Sequence, residues 1–124
     1  MVLVDTSVWI EHFRHGTEML VDLLMQNKVL CHPFIVGELA VGGVKDRHVI
    51  LRRLQRLPHV VPARDAEVLE LIERQKLVGS GIGYVDAHLL TSLRLTAGGQ
   101  LWTRDRRLHA AAVAAGVAVT IAMH

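Results

Sequence analysis

The sequence predicts an α/β domain, a parallel sheet with helices on both faces. Short apolar runs such as Val2-Leu3-Val4, Val29-Leu30-Cys31 and Leu101-Trp102-Thr103 are continuous rather than alternating, the pattern of strands buried on both faces. Between them lie longer stretches with apolar residues at helical spacing, which parallel strands need as crossovers. The 124 residues suffice for a single domain over 1–124 and are too few for two.

Each element follows from local pattern. After the first strand, Trp9 and Phe13 sit four apart on a short helix, and a second helix from about Thr17 carries Met19, Leu20, Leu23 and Leu24. Val29-Leu30-Cys31 is the next strand. Pro33 suits the first turn of a third helix bearing Val36, Leu39 and Ala40, which Gly42-Gly43 ends. Ile50, Leu54 and Leu57 line a fourth helix, stopped by Pro58, with Arg52, Arg53 and Arg56 off that stripe. Val60-Val61 is a strand candidate, and Asp65 opens a helix with Val68, Leu69 and Ile72. Gly79-Ser80-Gly81-Ile82-Gly83 is a break. The helix after it (Val85, Ala87, Leu89, Leu90, Leu93) is apolar almost all round and therefore buried. Leu101-Trp102-Thr103 is a strand, Leu108, Ala111, Ala112 and Ala115 mark the last helix, and Val117-Ala118-Val119 is a final strand.

Composition narrows the class. Apolar residues make up 51% and charged residues 21%, so a packed core is expected, and with only 4% aromatic it must be aliphatic. The formal net charge of +2 permits a polyanionic partner without demanding one. A lone Cys31 allows no intramolecular disulfide. The opening residues lack the basic region of a signal peptide, and no stretch is long and apolar enough to span a bilayer. The expectation is a cytoplasmic domain with no membrane partner.

Four carboxylates stand out by position. In a parallel sheet, ligands bind beyond the carboxyl ends of the strands. Asp5 directly follows the first strand, and Asp105 follows the Leu101–Thr103 strand where the next helix begins. Glu38 lies in the helix after the second strand, beside Leu39 and Ala40. Asp86 lies in the first turn of the apolar helix, between Val85 and Ala87. Each has an ordinary reading. Asp5 and Asp105 fit helix N-caps, and Glu38 fits a solvent-facing or Arg-paired residue. Asp86 is harder to explain by capping, because its helix has so little polar surface. Taken together, four acids at one sheet edge point to one cause. Two carboxylates about 4 Å apart repel by roughly 4 kcal/mol at an effective dielectric near 20, so converging acids need protons or a cation. An all-oxygen donor set suits Mg²⁺ or Mn²⁺, and no Cys/His set with zinc spacing competes.

Other motifs are weaker. Gly79-x-Gly81-x-Gly83 lacks the spacing of a dinucleotide fingerprint, and no Walker lysine motif is present. Asp5-Thr6-Ser7 lacks the second Asp of aspartyl phosphotransferases. The eight histidines are scattered, and no two obviously converge, which argues against metal-free acid–base nuclease chemistry.

Four segments occur in order: Val2-Leu3-Val4-Asp5-Thr6-Ser7-Val8-Trp9, His32-Pro33-Phe34-Ile35-Val36-Gly37-Glu38-Leu39, Gly81-Ile82-Gly83-Tyr84-Val85-Asp86-Ala87-His88-Leu89-Leu90 and Leu101-Trp102-Thr103-Arg104-Asp105. In these the chain resembles PIN-domain ribonucleases of the VapC toxin family of type II toxin–antitoxin systems. The resemblance implies a three-layer α/β/α sandwich around a parallel sheet. It implies an acidic quartet of Asp5, Glu38, Asp86 and Asp105, with Asp5 and Asp86 as direct Mg²⁺ ligands. Thr103 would be the family's small hydroxyl residue near the last acid, and Ser7 or Thr6 would orient Asp5. The implied activity is hydrolysis of RNA phosphodiester bonds through a metal-activated water, using one or two ions. The implied partners are an RNA substrate, a second copy in a homodimer, and a small antitoxin protein that masks the acidic groove. Two alternatives stay open: a non-toxin metal-dependent nuclease or phosphatase, and a non-catalytic nucleic-acid-binding module.

Overall fold

The computed structural model describes residues 1–120. Three strands, β1 (Val2–Val4), β2 (Val29–Leu30) and β3 (Gln100–Trp102), form a parallel sheet in the order β2-β1-β3. The central strand pairs Leu3 with Leu30 on one side and with Leu101 on the other. Its apolar run is continuous because both faces are covered: Val2, Leu3 and Val4 are all buried.

The two further strands expected at Val60-Val61 and Val117–Val119 are each reduced, among the described residues, to a single bridge. Cys31 pairs with His59 beyond β2, and Leu101 pairs with Ala118 beyond β3. The first is short for a local reason. Pro58 and Pro62 bracket it, Pro62 has no N–H to give a ladder, and the Val61 amide donates instead to Thr96 Oγ1 at 3.0 Å. On the other edge, the Leu101 amide donates to Val117 O and the Val119 amide donates to Leu101 O.

Among the described residues, seven helices connect these segments: α1 (Thr6–His15), α2 (Glu18–Met25), α3 (Pro33–Val41), α4 (Arg47–Arg56), α5 (Asp65–Arg74), α6 (Tyr84–Leu95) and α7 (Arg106–Ala114). The chain runs outward from β1 through β2 and then returns to β3 on the opposite side. Right-handed crossovers therefore put α1 to α4 on one face and α5 to α7 on the other. The contacts agree: α1 packs on α3 and α3 on α4, whereas α5 packs on α6, and α6 and α7 pack on β3. This is the expected three-layer sandwich. The order reverses between β1 and β3, where a doubly wound sheet opens a crevice at its carboxyl edge.

Sequence spacing accounts for most helix faces. Trp9 and Phe13, one turn apart on α1, stack at 5.8 Å. Pro33 occupies the first turn of α3, and His32 caps it by accepting the Phe34 amide on Nδ1 at 3.0 Å. α6 is buried from Ala87 through Leu93, as its all-round apolarity predicts. α5 differs from expectation. Val68 and Leu71 form its buried stripe with half-buried Ile72, while Leu69, a quarter-turn aside, is 57% exposed. No helix among the described residues is long and apolar enough to cross a membrane.

The core hangs on the middle of β1. Leu3 is fully buried between two strands and two helical layers. Leu3→Ala should cost about 2–5 kcal/mol, while Leu69→Ala should stay within about 0.5 kcal/mol of the parent. Urea unfolding midpoints distinguish the two, and equal losses would contradict the assigned α5 face.

Candidate active site at the carboxyl edge of the sheet

All four acids lie at the carboxyl edge, each delivered by a different element. Asp5 ends β1, Asp105 follows β3, Glu38 sits in the second turn of α3, and Asp86 in the first turn of α6. Their environments differ sharply.

Asp5 is 6% exposed and precedes α1, yet its carboxylate makes no capping bond to that helix. Instead Oδ2 accepts the Thr103 hydroxyl at 2.7 Å and the Ser7 hydroxyl at 2.8 Å. Both hydroxyls are themselves held. Ser7 Oγ accepts the Arg104 amide at 3.1 Å, and Thr103 Oγ1 accepts the Asp105 amide at 3.1 Å. The capping explanation therefore fails for Asp5. Its carboxylate is oriented by two donors that converge on one oxygen.

Asp105 is the opposite case. It is exposed, and Oδ1 accepts the Arg107 and Leu108 amides at 2.9 and 3.1 Å, an N-cap of α7 in full geometry. That leaves Oδ2 as the oxygen available to the site. Glu38 is also exposed, not enclosed by Leu39 and Ala40, and its partner is Thr6 rather than an Arg: the hydroxyl donates to Oε1 at 2.8 Å. The two hydroxyls after Asp5 are thus divided, Ser7 serving Asp5 and Thr6 serving Glu38.

Asp86 is half-buried, and its carboxyl is pushed up to about 6. Burial is the main cause, followed by the negative charges of Asp5, Asp105 and Glu38. The other three acids are therefore all close enough to Asp86 to act on it. Among the described residues, no three Asp, Glu, His or Cys side chains close into a ready-made metal cage. Mg²⁺ does not require such a cage, since it keeps several waters and takes only one or two carboxylates from a protein. The donor set fits a hard divalent cation: oxygens only, mutually repelling, with one carboxylate braced by hydroxyls.

Two histidines that look scattered along the chain converge in the fold. His32, capping α3, and His88, in the second turn of α6, both contact the Phe34 ring, at 4.9 and 5.0 Å. His32 is 2% exposed, and its Nε2 has no partner among the described residues. Burial first, then His88 and His59, drive its pKa down to about 4, so it is neutral at pH 7. Cys31 is buried and its thiol is pushed up to about 11, which makes it a packing residue rather than a nucleophile. The signal that could have exposed the histidine pair is their placement, one at a strand end and one in the turn after Asp86.

A parallel doubly wound sheet with acids gathered at its switch point defines a class of divalent-metal hydrolase folds. Comparison with known proteins makes the class specific. The PIN domain family model matches residues 2–114. The chain is also 49% identical over 119 residues to Ribonuclease VapC32 of Mycobacterium tuberculosis, in strains H37Rv and CDC 1551, spanning 96% of this chain and 96% of each relative. The chain belongs to the PIN-domain family and, within it, to the VapC group, whose members generally work with a divalent metal.

The raised Asp86 pKa fixes a stability dependence. Its folded value lies above its unfolded value, so the stabilisation is complete below about pH 4 and is lost as pH rises through about 6. Without metal, Asp86→Asn should melt higher than the parent above pH 6, and the difference should shrink to nothing below pH 4. Thermal unfolding in EDTA from pH 4 to 8 measures this. A constant offset across the range would contradict the assigned charge crowding.

Proposed function

We propose that this protein is a divalent-metal-dependent ribonuclease that serves as the toxin of a toxin–antitoxin pair, with Asp5, Glu38, Asp86 and Asp105 as its acidic quartet. The observation that carries the reading is the hydroxyl-braced Asp5 at the carboxyl edge of the sheet, with a half-buried Asp86 whose carboxyl is pushed up to about 6 by burial and then by the charges of Asp5, Asp105 and Glu38. The name of the M. tuberculosis relative supports RNA as the substrate and an antitoxin as the protein partner. We also propose a homodimer and a cytoplasmic setting.

Asp5 and Asp86 are the residues to hold Mg²⁺ or Mn²⁺ directly, because one is braced and the other is most in need of a counter-charge. A cation there supplies a lowered pKa for attacking water, screening of the phosphodiester and stabilisation of the leaving oxygen. The chain's own residues do the rest. Ser7 and Thr103 hold the Asp5 carboxylate in one orientation. Glu38, fixed by Thr6, and the free oxygen of Asp105 can accept hydrogen bonds from water in the site. Arg104, Arg106 and Arg107 are exposed beside Asp105 and offer guanidinium groups to the RNA phosphates. His32, neutral and buried, is poorly placed for the acid–base alternative.

Cleavage of a single-stranded oligoribonucleotide should require Mg²⁺ or Mn²⁺ and leave 5′-phosphate and 3′-hydroxyl ends. Asp5→Asn and Asp86→Asn should abolish it, and Thr103→Val, which loosens Asp5, should lose about 10–100-fold. Mass spectrometry of the products reads both points, and full cleavage in excess EDTA would overturn the mechanism. Expression without a partner should arrest growth, and Asp5→Asn should relieve the arrest. An antitoxin tail arginine can pair bidentately with the site carboxylates. An antitoxin helix packing between the early helices would find Leu24 and Val36 only partly covered, whereas Leu20 beside them is buried in the core. Harmless solo expression of an enzyme that cuts RNA briskly in vitro would point to a non-toxin nuclease.

A further inference from the structure

The chain has five aromatic residues, two Trp, one Tyr and two Phe. Trp9 and Trp102 are buried, and Phe13 is half-buried against Trp9. The other two, Phe34 at 40% and Tyr84 at 46%, are exposed, and they share one support. Both rest edge-to-face on His88, with ring centroids 5.0 and 4.9 Å away. His88 is buried and its Nε2 lies 3.0 Å from Asp65 Oδ1, the same oxygen that accepts the Tyr84 hydroxyl at 2.8 Å. Phe34 is steadied from its other neighbour as well, since His32 holds its backbone amide and lies 4.9 Å from its ring. The rings are thus braced from behind by hydrogen-bonded groups while presenting surface to water.

Their positions relate them to the acids. Phe34 is one turn before Glu38 on α3, and Tyr84 is two residues before Asp86 on α6. Gly37 lies between Phe34 and Glu38, three residues after the ring, and Gly83 directly precedes Tyr84; a Cβ at either would meet nothing within 4 Å. At Gly81 the Arg107 guanidinium lies close enough to fill the place of a Cβ, which brings a cation to the loop just before Tyr84. A partner helix would want a continuous apolar groove with anchors at helical spacing. Isolated rings among glycines, a carboxylate and an arginine fit a flat, polar-edged group instead.

We propose that Phe34 and Tyr84 form a stacking site for an unpaired nucleobase of an RNA strand whose backbone lies at the acidic edge. The inference rests on the ribonuclease reading above. Every base has a π-face, so such a site holds single strands with little sequence preference, and rings already fixed by His88 lose little freedom on binding.

The test uses a short oligoribonucleotide carrying one 2-aminopurine, whose fluorescence is quenched on stacking, bound to Asp5→Asn protein so that it is not cut. Quenching is expected for Asp5→Asn alone, and adding Phe34→Ala or Tyr84→Ala should remove it and weaken binding roughly tenfold. Phe34→Trp and Tyr84→Phe, which keep a ring, should retain both signals. With Asp5 restored, the two alanine variants should raise KM while kcat stays within about twofold. An oligonucleotide with abasic sites should bind the Asp5→Asn protein as weakly as the alanine variants bind the normal strand. Unchanged quenching and KM in both alanine variants would overturn the proposal. So would alanine variants that handle RNA normally but release a co-purifying protein partner. Failure of the ribonuclease reading looks different: the parent protein would cut no RNA with either metal, whatever the rings do.

Discussion

The parallel pairing of β1 with β3 is the contact on which the site depends. Val4 is opposite Trp102, and the Asp5 amide donates to Trp102 O at 3.0 Å. That register carries the next residue of each strand, Asp5 and Thr103, past the end of the ladder side by side, and the hydroxyl-to-carboxylate bond follows at 2.7 Å. A slip of one residue would send Asp5 to the other face and leave a buried carboxylate without donors. Leu3 and Leu101, paired and fully buried one step earlier, hold the register by packing. Core hydrophobic burial and site geometry are therefore one feature seen from two ends of a three-residue strand.

The same edge is where the fold is least at ease. Asp86 is crowded there by its own burial and by the charges of Asp5, Asp105 and Glu38, and its carboxyl is pushed up to about 6. The surroundings compensate. α6 is anchored by seven consecutive buried residues after Asp86, and its first turn is tied to α5 through Tyr84, His88 and Asp65. α7 is anchored by the Asp105 cap. Rigid helices thus deliver charges that would otherwise move apart, which is the arrangement expected where a site needs a cation to become neutral.

Much of this was legible from order and spacing. Apolar runs located β1, β2 and β3, and Pro33, Gly42 and Pro58 bounded helices where expected. The strand-end rule picked out Asp5 and Asp105, and the apolarity of α6 made Asp86 conspicuous. Local pattern was less informative where a residue's role depends on a partner distant in the chain. The Val60-Val61 strand shrank to one bridge because its amide found Thr96, thirty-five residues away. Leu69 looked like core, but α5, packed on α6, buries the stripe of Val68 and Leu71 instead.

The sequence by itself determined the α/β class, the order of the elements and the placing of four acids at strand ends and helix starts, since strand burial and helix periodicity are local properties written in consecutive residues. Only the tertiary structure decided what each acid does with its oxygens. Asp5 and Asp105 look alike in sequence, each an Asp between a strand and a helix. One caps its helix; the other takes no backbone amide of its helix and accepts two hydroxyls instead, Ser7 in that helix and Thr103 just past a strand, ninety-eight residues later. Hydrogen bonds are short-ranged in space and indifferent to chain separation, so that choice was fixed by the packing of β3 against β1. The convergence of His32 and His88 on Phe34 has the same origin, because it required α3 and α6 to meet at the sheet edge.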